Sequence, residues 1–169
     1  QGKLLSFQLP FADDASIENL FHCIALLLYF EIAPDEIQNR LHNLQQIAMR
    51  LELKEGINSC YVIDDTYNND LAGITIAINF LDQQKHKEDK AVILSDVLES
   101  GRKEQELYQN IANLLKEKGI QRLIGIGTTI SRNKSLFNIE SKFYENTEEF
   151  LKGFNPQDFS EEMILVKGA

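Results

Sequence analysis

The chain has 169 residues, enough for one domain or for one domain and part of a neighbour. Its 43 % hydrophobic and 25 % charged residues are globular values that exclude a fibre or a disordered chain. Acidic residues outnumber basic ones by 26 to 17, and the net charge of −9 argues against non-specific nucleic-acid binding, whose affinity comes from cations neutralising phosphates.

Residues 3–9 (KLLSFQL) read as a short strand closed by Pro10. Asp13 to Ser16 then offer N-caps for a helix in which Ile17, Leu20, Phe21, Ile24, Leu27 and Leu28 recur at spacings of three and four. Ala25, Leu26, Tyr29 and Phe30 make that helix apolar on nearly every side, the pattern of a helix buried on several faces. His22 and Cys23 lie inside it and read as a core histidine and a buried thiol. Pro34, followed by Asp35 and Glu36, opens a second helix predicted to run to about Gln46.

From about residue 50 the rhythm changes. Short apolar runs at Ser59–Ile63, Ala91–Leu94 and Arg122–Ile126 predict strands, with helices at Leu71–Gln84 and Glu104–Lys118 between them and Gly119 as a C-cap. A shorter round follows: strand Lys142–Tyr144, helix Thr147–Gly153 and strand Met163–Val166. Strands alternating with helices of this length predict an α/β fold: a Rossmann-like, mostly parallel sheet with helices on both faces. The chain therefore divides into a small helical remnant (1–49) and an α/β domain (50–169). The charged run 83–90 reads as a solvated αβ loop.

The longest apolar run, Cys23–Phe30, falls far short of the roughly 20 residues that span a bilayer. The opening residues carry no signal-peptide pattern, and Cys23 and Cys60 both sit in apolar segments, so buried thiols and a cytoplasmic location are expected. His22, His42 and His86 do not complete a Cys/His metal set, and no metal site is expected. Gln1 is no initiator methionine and the chain stops directly behind an apolar run, so it reads as a piece of a longer polypeptide.

In parallel sheets, ligands gather beyond the carboxyl ends of the strands. The first such end carries Asp64-Asp65-Thr66-Tyr67-Asn68-Asn69-Asp70, whose carboxylates, hydroxyl, ring and amides suit a polar site and equally suit an Asx turn with a helix N-cap. The second carries Ser95-Asp96, for which capping is favoured. At the third, Gly125-Ile126-Gly127 lacks the third glycine and downstream acid of a dinucleotide fingerprint, and tight packing is expected instead. Tyr108 reads as core. There is no Gly-x-x-x-x-Gly-Lys-Ser/Thr loop and no Ser/His/Asp set.

The strand that ends in Asp64-Asp65-Thr66-Tyr67-Asn68 resembles the start of the C-terminal domain of the Mur ligases, the ATP-dependent amide ligases of peptidoglycan synthesis, with Arg50-Leu51-Glu52 just ahead of it. The D-alanyl-D-alanine-adding branch reads Asp-Asp-Ser-Tyr-Asn at this turn. Ile93-Leu94-Ser95-Asp96-Val97-Leu98-Glu99-Ser100-Gly101 resembles its Leu-Gly-Asp-Met-x-Glu-Leu-Gly, and Lys167-Gly168-Ala169 stands in the place of its Lys-Gly-Ser-Arg. Ala15-Ser16-Ile17-Glu18-Asn19 resembles the His-Asn-x-x-Asn run near the end of the central ATPase domain, so residues 1–49 would be the end of that domain. Ser16 and Leu71 depart from the common pattern, in the manner of the branch fused to a following alanine racemase.

This resemblance implies the C-terminal part of a ligase that uses ATP and Mg2+ to join D-alanyl-D-alanine to UDP-N-acetylmuramoyl-tripeptide. The phosphate-binding loop and Mg2+ ligands would lie upstream of the chain, and pyridoxal phosphate would serve only a racemase beyond Ala169. Carried across, Asn19, Arg50, Asp65, Tyr67 and Asn68 would bind ATP, with Asp65 on the ribose, and Lys167 would face the acidic stem peptide. No catalytic residue is expected here, and the chain alone is expected to be inactive. The competing expectation is a free-standing α/β module that binds a nucleotide or a protein without catalysis.

Overall fold

A computed structural model describes residues 4–11, 14–44, 50–97 and 103–168. They form two compact units, 1–47 and 48–169.

In the first unit, helix α1 (Asp14–Tyr29) and helix α2 (Pro34–Leu41) enclose a small core of Leu20, Ile24, Ile37 and Leu41, with Phe7, Leu9, Phe11, Leu27, Leu28 and Ile32 packed against it. Residues 4–9 form no strand, because the described residues of the unit offer no second strand to pair with. Gln8 bonds the Gln38 side chain instead, donating its N–H to Oε1 at 2.8 Å and accepting from Nε2 at 3.1 Å. Helix α2 ends at Leu41, short of the expected bound. Asn43 and Leu44 close its end through bonds to carbonyls three residues back, and Gln46 lies outside the described residues.

The apolar girth of α1 exceeds what this unit can cover. Phe21 is 62 % and Tyr29 79 % exposed, and Leu26 and Phe30 are also exposed. His22 and Cys23 share that exposure, so neither is the core residue expected.

The second unit is built on six strands: β1 (Glu52–Glu55), β2 (Tyr61–Asp65), β3 (Asp89–Ser95), β4 (Arg122–Ile126), β5 (Glu140–Tyr144) and β6 (Glu162–Lys167). Their order in the sheet is β1-β2-β6-β3-β4-β5. Only β1 runs antiparallel, as an edge strand pairing Glu52 with Asp64; it was not expected from its charged sequence Glu-Leu-Lys-Glu. Central β6 (EMILVK) is nearly continuously apolar because both of its faces are covered.

Helices α3 (Leu71–Gln83) and α4 (Glu104–Glu117) cover one face. There Ile74, Ile78, Leu81, Tyr108, Ile111 and Leu115 pack on Ile63, Val92, Leu123 and Leu165. The short helix α5 (Thr128–Arg132), which had not been expected, adds Ile130 to this core. Helix α6 (Thr147–Gly153) and a 3-10 turn at Pro156–Asp158 serve the other face, where Phe150 and Phe159 meet Ile124 and Ile164. The expected mostly parallel sheet with helices on both faces is therefore the fold.

Two glycines are required by their surroundings. A Cβ at Gly125 would fall 2.6 Å from the Phe143 ring, which is the expected tight strand packing, and Gly119 closes α4 at φ +64°. The charged run ends earlier than expected, because Asp89 and Lys90 already belong to β3 and Lys90 pairs with Asp82 at 2.8 Å.

Candidate functional site at the carboxyl edge of the sheet

Parallel strands β2, β6, β3 and β4 bring their carboxyl ends to one edge of the sheet. The β2–α3 turn, residues 65–70, lies there against the ends of β6 and β3. Register places Asp65 opposite Lys167, and Lys167 Nζ meets Asp65 Oδ2 at 2.9 Å. The same ammonium donates to the Asn68 carbonyl and, at 3.5 Å, to the Asp65 carbonyl. Its side chain is 2 % exposed, so all of its described partners are protein atoms of this turn.

Asp70, not Asp65, caps α3, accepting from the Gly73 N–H at 2.8 Å while its other oxygen accepts from Asn68 Nδ2 at 2.8 Å. Buried Asn69 ties the turn to β3: its Nδ2 donates to Ser95 O at 3.0 Å, Ser95 Oγ at 3.1 Å and Asp96 O at 3.0 Å. Asn69 had not been singled out; an Asn just before an N-cap Asp gives no local sign of reaching another strand.

Tyr67 points the other way. It is 61 % exposed, and the Arg50 guanidinium lies 4.2 Å from its ring centroid. Burial pushes the Asp64 carboxyl up, but hydrogen bonds from Lys54 and Thr66 outweigh it and hold the group below the ordinary carboxylate range.

Asp96 is a cap, as favoured, although for α5 rather than for the helix after it. Its Oδ1 and Oδ2 accept from Ile130 N at 2.8 Å and Thr129 N at 3.1 Å, and Tyr108 Oη donates to Oδ1 at 3.4 Å. Burial first, and the Asp96 charge with it, push the Tyr108 hydroxyl up to about 12.

Five of the six singled-out residues, Arg50, Asp65, Tyr67, Asn68 and Lys167, thus meet around one turn. Asn19 lies on the exposed surface of α1 in the first unit. Among the described residues, no three His, Cys, Asp or Glu side chains gather as an all-protein metal site would require. The described part of the edge offers a ring, a cation and carbonyl-rich turns, which is equipment for binding. No helix among the described residues is long and apolar enough to cross a membrane.

An α/β domain with its polar cluster at the strand carboxyl ends is the architecture of a ligand-binding or ligand-closing domain. Residues 49–169 match the family "Mur ligase, glutamate ligase domain", and the chain belongs to it. It is 27 % identical over 122 residues to the UDP-N-acetylmuramoyl-tripeptide–D-alanyl-D-alanine ligase of Bacillus subtilis (strain 168), covering 72 % of this chain and 27 % of that protein. The same-named ligase of Buchnera aphidicola subsp. Acyrthosiphon pisum (strain APS) is 26 % identical over 170 residues, covering 99 % of this chain and 36 % of that one.

Among solved structures, the MurF of Acinetobacter baumannii superposes with a TM-score of 0.78 at 23 % identity, over 96 % of this chain and 36 % of its own. A MurF ligase from Thermotoga maritima, in complex with ADP, gives 0.72 at 14 % identity, over 94 % and 36 %. These structures share the fold. The chain spans roughly a quarter to two-fifths of the relatives it matches.

Proposed function

We propose that the chain is the C-terminal part of an ATP-dependent ligase that joins D-alanyl-D-alanine to UDP-N-acetylmuramoyl-tripeptide in the cytoplasm. In this reading residues 50–169 are the lid and residues 1–49 the end of a central ATPase domain. The observation that carries it is the alignment of essentially the whole chain with a relative of that name. The exposed apolar residues of α1 support the domain reading, since Phe21, Leu26, Tyr29 and Phe30 need cover that this unit lacks.

ATP bound in the full enzyme would activate the tripeptide carboxylate as an acyl phosphate, and the dipeptide amine would displace the phosphate. The chain's own residues would close over the nucleotide and exclude water. Arg50 and Tyr67 would present a stacked cation and ring to the nucleotide, Asn68 would lie beside them, and Asp65 would turn its remaining oxygen to a ribose hydroxyl. Asn19 would reach the nucleotide from the central domain. Lys167 would meet the stem peptide only if the 65–68 turn released it. Mg2+ would be held upstream of the chain. A downstream alanine racemase with pyridoxal phosphate rests on the Ser16 and Leu71 variants and on the Ser95–Arg102 stretch.

The test is Arg50→Ala in the full-length ligase. The KM for ATP should rise about tenfold, as loss of a hydrogen bond to a charged group predicts, with the KM for D-alanyl-D-alanine unchanged. An unchanged ATP KM would remove Arg50 from the nucleotide site.

A further inference from the structure

The geometry points to Lys167 as a positioning residue that holds the 65–68 turn in its binding shape, rather than as a residue that touches substrate. This rests on the nucleotide-lid reading above for the identity of the ligand.

Lys167 ends the central strand β6 at the polar carboxyl edge of the sheet, yet its side chain is 2 % exposed. A charge taken that far out of water persists only with partners that satisfy it. Those partners are three oxygens of one turn: the Asp65 carboxylate, the Asp65 carbonyl and the Asn68 carbonyl. Three donors of one ammonium thus gather both ends of a four-residue segment.

From the other side Asn69 fastens the same turn to Ser95 and Asp96. Held at both flanks, the turn projects Tyr67 outward under Arg50. Lys167 thereby acts on the ligand through Tyr67 and Asn68, at second hand.

The test combines hydrogen exchange on the 169-residue chain with kinetics of the full-length ligase, for Lys167→Met, Asp65→Asn and, as a control on an exposed pair, Lys152→Met, whose ammonium meets Glu148 at 2.8 Å on α6. In Lys167→Met the amides of 66–69 should exchange at least about tenfold faster while those of α4 do not change. The KM for ATP should rise about tenfold with the KM for D-alanyl-D-alanine held within about twofold. Asp65→Asn should move the same amides less, and Lys152→Met should move none of them.

Unchanged exchange at 66–69, acceleration spread evenly over the domain, or a D-alanyl-D-alanine KM that rises instead would each overturn the assignment. If Lys167→Met does not fold, Asp65→Asn decides by the same local exchange. A wild-type protein without ATP-dependent ligation would overturn the ligase reading alone, and the exchange arm would still decide whether Lys167 fixes the turn.

Discussion

Gly127 and Asp96 are locked to each other: a Cβ on Gly127 would fall 2.2 Å from the Asp96 carboxyl carbon, and Gly127 holds φ +135°. The close approach lets the Asp96 carboxylate reach the first free N–H groups of α5, which it caps from a different strand end. Sequence motif and local geometry meet here: of the Gly-x-Gly that ends β4, Gly125 packs on the Phe143 ring and Gly127 against the Asp96 carboxylate.

Gly127→Ala should therefore be among the costliest substitutions in the domain. Strained backbone and the displaced Asp96 together should lower stability by about 2–4 kcal/mol, read as a urea midpoint. Gly119→Ala, in the milder left-handed helical region at φ +64° and with open space around it, should cost only about 1 kcal/mol. Equal losses at both positions would argue against the steric lock.

Tyr108 makes the stability of the domain sensitive to alkali. Its hydroxyl is held up to about 12 in the folded state, against about 10 when unfolded. Because the folded value is the higher, the unfolded chain loses the proton first and stability falls as the pH rises. The contribution is whole below pH 10 and lost progressively between about 10 and 12, about 2–3 kcal/mol in all. Tyr108→Phe should flatten that limb of the stability curve. A curve of unchanged slope would show that Tyr108 ionises as it would in water.

Asn69→Asp should destabilise more than Asn69→Ala. Alanine leaves three oxygens on Ser95 and Asp96 without their donor, costing about 1–3 kcal/mol, whereas aspartate sets an acceptor-only carboxylate against those same oxygens. Chemical denaturation of both variants orders them.

The two thiols should separate by reactivity. Cys23 is exposed on α1, while Cys60 is 4 % exposed beneath the second face of the sheet. A thiol reagent should label one cysteine of the native 169-residue chain rapidly and the second only on unfolding. Rapid labelling of both would mean that the second face opens readily.

The α/β half of the fold was legible because periodicity is a local signal. The runs at 91–94 and 122–126 and the helix with Leu107, Ile111 and Leu115 carry their burial in their own spacing. Residues 4–9 alternate like a strand, but a strand needs a partner, and none follows among the described residues of the first unit. Strand β1 was missed because an edge strand bearing Glu52, Lys54 and Glu55 shows no apolar run. Helix α1 reads as buried on all sides, and the Cys23 and His22 expectations failed with that reading; periodicity reports what a helix can bury, not what is present to bury it. At the edge of the sheet, the types and position of Asp65, Tyr67 and Asn68 were readable from one turn. The Asp65–Lys167 pair was not, since its partners lie 102 residues apart and meet only through the β2–β6 register.

The most direct test of the account is phosphate release measured with ATP, UDP-N-acetylmuramoyl-tripeptide and D-alanyl-D-alanine, each omitted in turn, for the full-length protein and for the 169-residue chain. The account predicts release from the full-length protein only when all three are present, and none from the chain alone, which holds no phosphate-binding loop. Release by the isolated chain, or a full-length protein indifferent to D-alanyl-D-alanine, would contradict it.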